Sequence, residues 1–273
     1  MSGTVLVTGG TGKTGRRVAD QLTAAGRDVR IASRHSTIPF DWSDRGTWAA
    51  ALAGVSAVYL VPPPGGDVSG PMIAFAQAAM ASGVVRFVLL SGSPMPEGGP
   101  GVGQTHSWLR ENAGDWAVMR PSWFMQNFTE GQHLAPIRDE GVIYSATEDG
   151  RIPFMSADDI AASAVAALIS PRPLNRDFIL TGAELITYDT VARQISDATG
   201  STITHQRVSA EKLAEWYRSI GRPDMLSQML AAMDVMIAHG AEDRTTDCVR
   251  ELTGRGPMTF EAFARDNAEL WAR

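Results

Sequence analysis

Thr4-Val5-Leu6-Val7-Thr8-Gly9-Gly10-Thr11-Gly12-Lys13-Thr14-Gly15-Arg16-Arg17-Val18 decides the fold. An apolar, β-branched run enters a turn with glycines at 9, 12 and 15, and a helical pattern follows. Glycine meets three needs in such a turn: a sharp reversal, close approach of backbone to a pyrophosphate, and tight helix–strand packing. The start of the following helix offers open N–H groups and partial positive charge, which suit an anion. A glycine triplet alone is weak evidence, but between a strand and a helix it reads as a dinucleotide-binding loop. The competing reading is a glycine-rich loop that only turns the chain. Gly9, Thr11, Gly12, Lys13, Thr14 and Gly15 are the candidate phosphate-loop residues.

Outward from that loop the first half alternates strand and helix. Strands are expected at Thr4–Thr8, Val29–Ala32, Ile38–Asp41, Val55–Val61, Arg86–Leu90 and Asp115–Met119. Helices are expected at Thr14–Ala25, Arg45–Leu52 and Met72–Ser82. Pro62, Pro63 and Pro64 stop one strand and Pro121 breaks another. This spacing implies a parallel sheet with right-handed crossovers. Ser156-Ala157-Asp158-Asp159 starts a further helix, with Ser156 as cap and two acids that suit the helix dipole. Phe178–Leu180 reads as a late strand, and beyond Tyr188 the pattern is mostly helical. The expected architecture is α/β. A Rossmann-type doubly wound parallel sheet spans residues 1–150, rejoined by a strand near 175–185, and a smaller, mainly helical substrate-binding cap spans 151–273.

The 273 residues, 44% apolar and 20% charged, describe a globular protein able to form one or two domains. A net charge of −6 disfavours a nucleic-acid surface. Lys13 and Lys212 are the only lysines; the other basic residues are arginines. Cys248, the single cysteine, permits no internal disulfide and fits a reducing interior. No apolar run nears the roughly 20 residues of a membrane span, and a strand at Thr4 leaves no room for a secretory leader. The expectation is a cytoplasmic monomer or homodimer with a hydrophobic small-molecule substrate and neither nucleic-acid nor membrane partners. His133, His205 and His239 stand alone, so no metal site is proposed.

The second strand ends Ile31-Ala32-Ser33-Arg34-His35. An NAD site usually carries an acid there for the ribose hydroxyls. Ser33 is small and neutral, and the Arg34 guanidinium suits a 2′-phosphate that a carboxylate would repel. NADP(H) is the expected cofactor. Asp41-Trp42 falls beside the adenine in such sheets, although a surface acid with a packed Trp explains it equally. The turns Val61-Pro62-Pro63 and Ser91-Gly92-Ser93 should lie at the carboxyl edge, where ligands bind.

A standard short-chain dehydrogenase carries a tyrosine four residues before a lysine. Here Tyr59, Tyr144, Tyr188 and Tyr217 are followed at that spacing by Pro63, Glu148, Ala192 and Gly221, so that proton donor is excluded. His106 and Arg110 share one helical face, and a histidine that Arg110 keeps neutral can move a proton. Ser91 is a second candidate, as a donor to a substrate carbonyl. The alternatives are a packed helix histidine and a turn-forming hydroxyl.

The loop from Thr8 to Gly15, Ser33-Arg34, and Met119-Arg120-Pro121-Ser122-Trp123-Phe124-Met125-Gln126-Asn127-Phe128 resemble the NmrA-like branch of atypical short-chain dehydrogenases. Ile152-Pro153-Phe154-Met155-Ser156-Ala157-Asp158-Asp159 and Thr253-Gly254-Arg255-Gly256-Pro257 are similar too. Within the branch, His106 and the aromatic run look like the ergot-alkaloid-type dehydrogenases, which reduce iminium intermediates with NADPH. The resemblance implies a Rossmann domain, a smaller helical domain and a substrate between them. It also implies a nicotinamide near Pro62, Ser91 and Pro121. The branch holds both NAD(P)H-dependent reductases, quinone reductases among them, and dinucleotide-binding regulators without turnover. Members with an active-site lysine need it just upstream of His106, where this chain has none.

Trp123, Phe124, Phe128 and Met155 are the candidate substrate contacts. Met225, Met229, Met233 and Met236 recur at helical spacing, either as core packing or as an adaptable pocket wall. The leading expectation is hydride transfer from NADPH to a quinone, aromatic ketone or imine. The alternatives are a cofactor-sensing regulator and an isomerase or cyclase that uses the cofactor structurally.

Overall fold

The computed structural model describes residues 3–63, 65 and 67–272. Along the chain the elements run β1 (Thr4–Thr8), α1 (Lys13–Ala24), β2 (Val29–Ala32), α2 (Trp48–Leu52), β3 (Val55–Leu60), α3 (Ser69–Ala81) and β4 (Arg86–Leu90). Then come α4 (Val102–Asn112), β5 (Asp115–Pro121), α5 (Leu134–Glu140), β6 (Val142–Ser145), α6 (Ala157–Ile169) and β7 (Arg176–Leu180). The last are α7 (Tyr188–Thr199), β8 (Thr204–Arg207), α8 (Ala210–Ser219), α9 (Asp224–Ala238), α10 (Cys248–Thr253) and α11 (Phe260–Asp266).

Two compact units share this chain. The first holds Met1–Pro121, Ala157–Leu180 and Asp247–Gly256; the second holds Ser122–Ser156, Thr181–Thr246 and Pro257–Arg273. A single boundary at residue 150 does not describe this interleaving. The chain returns to the first unit because β7 pairs with the free edge of β5, and α6 packs on α1 with Asp158 3.1 Å from Arg17.

The first unit is a six-stranded parallel sheet in the order β2-β1-β3-β4-β5-β7. Leu6, Val7, Val58, Tyr59, Leu60, Val88 and Leu89 are fully buried, as strands covered on both faces must be. From β1 the chain moves out to β2 and then crosses back to β3. Strand order therefore reverses between β1 and β3, which opens a crevice at their carboxyl ends.

Two expectations are corrected here. Ile38–Asp41 is not a sheet strand: it makes only the isolated bridges Ser33↔Pro39 and Asp41↔Asp44. Pro39 has no N–H to give, and the Ile38 carbonyl is taken by the Ser36 hydroxyl at 2.6 Å. The last strand before the second unit also runs through Pro121, paired with Leu180, because a terminal proline forfeits no necessary ladder bond. Pro64 lies outside the described residues.

The second unit pairs β6 with β8 in parallel, Val142 with Thr204 through Ser145 with Arg207. Its core gathers Phe128, Phe154, Tyr188, Phe260, Phe263 and Trp271. The methionine stripe is not core. Ser227, Ala231, Asp234 and Ile237 form the buried face of α9, whereas Met225, Met229 and Met236 are 84%, 46% and 51% exposed. Helical spacing alone cannot tell which of two faces turns inward.

Candidate cofactor and active site

The loop between β1 and α1 is shaped by two glycines for two reasons. Gly9 has φ +60°, a region L side chains seldom enter. Gly15 lies so close to the turn that a Cβ would sit 2.2 Å from the Gly9 carbonyl oxygen. The Gly12 N–H closes the turn onto that carbonyl at 2.9 Å. Below it, the buried Thr8 hydroxyl donates to the Tyr59 carbonyl at 2.9 Å and accepts the Val61 N–H at 2.7 Å. These bonds fix the ends of β1 and β3 on either side of the crevice. Gly12 caps α1 in extended conformation; no side chain closes that end, and no acid occupies its first turn. The loop thus fits a pyrophosphate in both shape and charge.

The edge beside β2 carries two exposed basic side chains. Ser33 is half-buried, while Arg34 and His35 are exposed. The Ser33 carbonyl accepts from the Ser36 and Phe40 N–H groups at 3.3 and 3.0 Å, which folds a tight turn around Arg34. Arg34 has no hydrogen-bond or ion-pair partner among the described residues. Alongside runs a cavity of about 590 Å³ lined in part by Thr11, Ile31, Ser33, His35 and Ser36. Its one acid, Asp28, is held by the Thr4 hydroxyl.

Asp41 is already engaged: its carboxylate accepts the Ser43 hydroxyl at 2.6 Å and the Ser43 N–H at 2.9 Å. Those bonds hold it below the usual carboxylate range. The Trp42 ring packs edge-on against Phe40 and Phe75 at 5.0 and 5.4 Å. Val61, Pro62 and Pro63 follow β3 half-buried. At the end of β4 the Ser91 N–H bonds the Met119 carbonyl at 2.8 Å, yet the Ser91 hydroxyl is buried without a partner. Ser93 in turn bonds the Pro121 carbonyl at 2.8 Å.

His106 is 2% exposed on the inner face of α4, its ring 5.6 Å from Trp116. Burial lowers its proton affinity first; Asp177 and Glu97 oppose this, and Arg120 and Arg110 add to it. Arg110 is therefore a minor influence: it is half-exposed and turns to Glu97 at 2.9 Å. Burial, more than Arg110, favours the neutral imidazole. Its Nδ1, Thr105 Oγ1 and Arg120 Nε join Ser91 Oγ as buried atoms without partners. Most buried polar atoms are bonded, so each of these four is an exception. The sequence reading missed Arg120, which also holds Asp177 at 2.7 Å and the Ser93 carbonyl at 3.0 Å. An arginine inside an apolar strand was the available signal.

In the second unit Trp123 and Phe124 keep part of their surface. Phe128 is fully enclosed, its ring 4.9 Å from His133, 5.3 Å from Phe154 and 5.2 Å from Phe260. Met155 is also fully buried and bonds the Trp123 carbonyl at 2.8 Å through its N–H. Packing accounts for both, in place of the expected substrate contact. No group of three or more His, Cys, Asp or Glu residues is placed to hold a metal among the described residues. Nor is any helix there long and apolar enough to cross a membrane.

A doubly wound parallel sheet with a glycine cradle at its switch point defines a dinucleotide-binding protein. Residues 9–171 match the NAD(P)H-binding family. The chain is 40% identical to agroclavine dehydrogenase of Claviceps fusiformis, covering 98% of both chains. Among solved structures, the NADPH-dependent quinone oxidoreductase QOR2 of Escherichia coli superposes with a TM-score of 0.81 at 21% identity, covering 96% of this chain and 99% of that one. NmrA, a negative transcriptional regulator in complex with NAD, gives 0.77 at 17% identity, over 98% and 96%. The chain belongs to the NAD(P)H-binding family. It is an NAD(P)H-dependent oxidoreductase.

Proposed function

We propose that this protein transfers hydride from NADPH to a flat hydrophobic acceptor: a quinone, an aromatic ketone or an imine. The observation that carries the choice of coenzyme is Arg34, an exposed guanidinium with no hydrogen-bond or ion-pair partner among the described residues, beside the pyrophosphate cradle. The coenzyme supplies the hydride when bound. The chain's own part is binding, orientation and control of protons. Gly9, Gly12 and Gly15 receive the pyrophosphate, while Thr11, Lys13 and Thr14 complete the loop. Ser33 and Arg34 take the 2′-phosphate, and Asp41 and Trp42 border the adenine. Val61, Pro62, Pro63 and Pro121 shape the nicotinamide side.

Ser91 is proposed to donate its unpaired hydroxyl to the acceptor's oxygen or nitrogen, and neutral His106 to pass a proton inward. Neither is a strong acid, which favours quinones and imines over simple ketones because these need less help from one. Trp123 and Phe124 offer the apolar contact. The 40% identity to agroclavine dehydrogenase supports reduction or oxidation of a small organic molecule; the NmrA likeness supports cofactor sensing only through the shared fold.

NADPH oxidation followed optically against quinones, aryl ketones and cyclic imines tests the reading. Acceptor-dependent oxidation is expected. Tight NADPH binding with no turnover on any acceptor overturns it in favour of a sensor.

A further inference from the structure

The turn that carries Ser91 is tied to β5 by a ladder with a missing rung. The sheet register pairs Leu90 with Met119. Beyond that pair the Ser91 N–H donates to the Met119 carbonyl and the Ser93 N–H to the Pro121 carbonyl, both at 2.8 Å. In a parallel ladder the bond returned to the Ser91 carbonyl comes from the N–H of residue 121. Pro121 has no N–H, so β5 returns no backbone donor there.

A side chain supplies a donor from β5 instead. Arg120 Nη2 donates to the Ser93 carbonyl at 3.0 Å, and Nη1 holds the Asp177 carboxylate at 2.7 Å. Alternation along β5 puts Trp116, Val118 and Arg120 on one face of the sheet, and on β7 Asp177 stands opposite Val118. The Arg120 side chain is 15% exposed and Ser93 2%, so little water competes for the bond between them. A planar guanidinium fixes its two acceptors relative to each other, and the charged pair with Asp177 fixes the guanidinium. The Ser91 hydroxyl is buried without a hydrogen-bond partner among the described residues. Its place therefore depends on the backbone of the turn.

We propose that Arg120 is a positioning residue: braced by Asp177, it holds the Ser93 carbonyl and so fixes the turn from which Ser91 presents its hydroxyl. The proposal rests on the hydride-transfer reading for what Ser91 does. It also gives β7 a task beyond closing the sheet, since Asp177 brings that strand to bear on the turn. Arg120 acts through Ser91 and is not itself a proton donor.

Amide hydrogen exchange and turnover, measured on the full chain, test it together. Arg120→Lys keeps the charge but loses the fork. It is expected to speed exchange at the Ser91 and Ser93 amides roughly tenfold, while the Val7 and Val58 amides in the middle of the sheet stay within about twofold. In NADPH oxidation with a quinone, Arg120→Lys should lower kcat roughly tenfold and leave the KM for NADPH within about twofold. Combined with Ser91→Ala it should cost nothing beyond Ser91→Ala alone, because both act at one hydroxyl. A merely structural arginine gives losses that multiply in the double variant. Asp177→Asn, which keeps an acceptor without the charge, is expected to shift exchange and kcat in the same direction by a smaller factor, and it carries the test if Arg120→Lys does not fold. Unchanged exchange at Ser91 and Ser93, or multiplying losses, overturns the proposal. Native turnover with unchanged exchange in the variants sinks the positioning role alone; faster exchange in a chain that turns over no acceptor sinks the hydride-transfer reading alone.

Discussion

The Arg34 guanidinium at the end of β2 has no hydrogen-bond or ion-pair partner among the described residues, although its charge acts on Asp41. A guanidinium in that position gains most from a doubly charged phosphate. Arg34→Ala is expected to weaken NADPH binding roughly ten- to hundredfold, the equivalent of about 1.5–3 kcal/mol for a charged hydrogen bond, and to leave NADH within twofold. Titration of both coenzymes against native and variant protein measures the ratio, and an unchanged ratio removes Arg34 from the site. The glycine loop was legible in the sequence because its constraints are local: a positive φ at Gly9 and a carbonyl against Gly15 admit no side chain. The state of His106 was not legible. Burial beside Trp116 lowers its proton affinity, whereas the residue four positions on, Arg110, points to Glu97.

At the scale of elements, the parallel strands were legible from unbroken apolar runs, but the pair β6–β8 was not. Thr204-His205-Gln206-Arg207 carries no apolar alternation, and side-chain bonds hold it instead. His205 Nε2 meets Ser145 Oγ at 2.8 Å and Nδ1 meets Asp189 at 3.1 Å, while Arg207 also bonds Asp189. This serine–histidine–aspartate chain has the order of a hydrolytic triad, yet Ser145 is 0% exposed, so no substrate reaches it. Its role is to pin β8 to β6. Burial lowers the proton affinity of His205, with Asp189 opposing. The unfolded chain takes up that proton near pH 6.5 and the folded chain resists it, so stability falls as pH drops below about 6.5. Urea unfolding at pH 7.5 and 5.5 is expected to show this loss, and His205→Gln to reduce it. Arg86 is a second tie between elements. It is 2% exposed, 2.8 Å from Asp115, and donates to the Leu168 and Ser170 carbonyls at 2.8 Å. Arg86→Met strands a carboxylate and two carbonyls. A loss of about 3 kcal/mol in urea unfolding is expected, the low end for a broken buried pair because the Asp115 side chain keeps 16% exposure.

For the whole molecule, interleaving governs what folds. Residues 1–150 look self-sufficient as sequence, because they contain the glycine loop and five of the six strands of the sheet. They lack β7, α6 and α10, which belong to the same unit. Without them β5 becomes an open apolar edge, Arg86 loses two carbonyls and Arg120 loses Asp177. The face of α1 that α6 covers is also bared. Exposed strand edges and unpaired buried arginines both favour aggregation over folding. A fragment of residues 1–150 is therefore expected to lack a cooperative urea transition and to bind NADPH at least a hundredfold more weakly than the full chain. Circular dichroism and coenzyme titration of the fragment check this. A sharp transition with native-like coenzyme affinity shows instead that the late strand and its helices are dispensable, and that a linear boundary at 150 is the correct division.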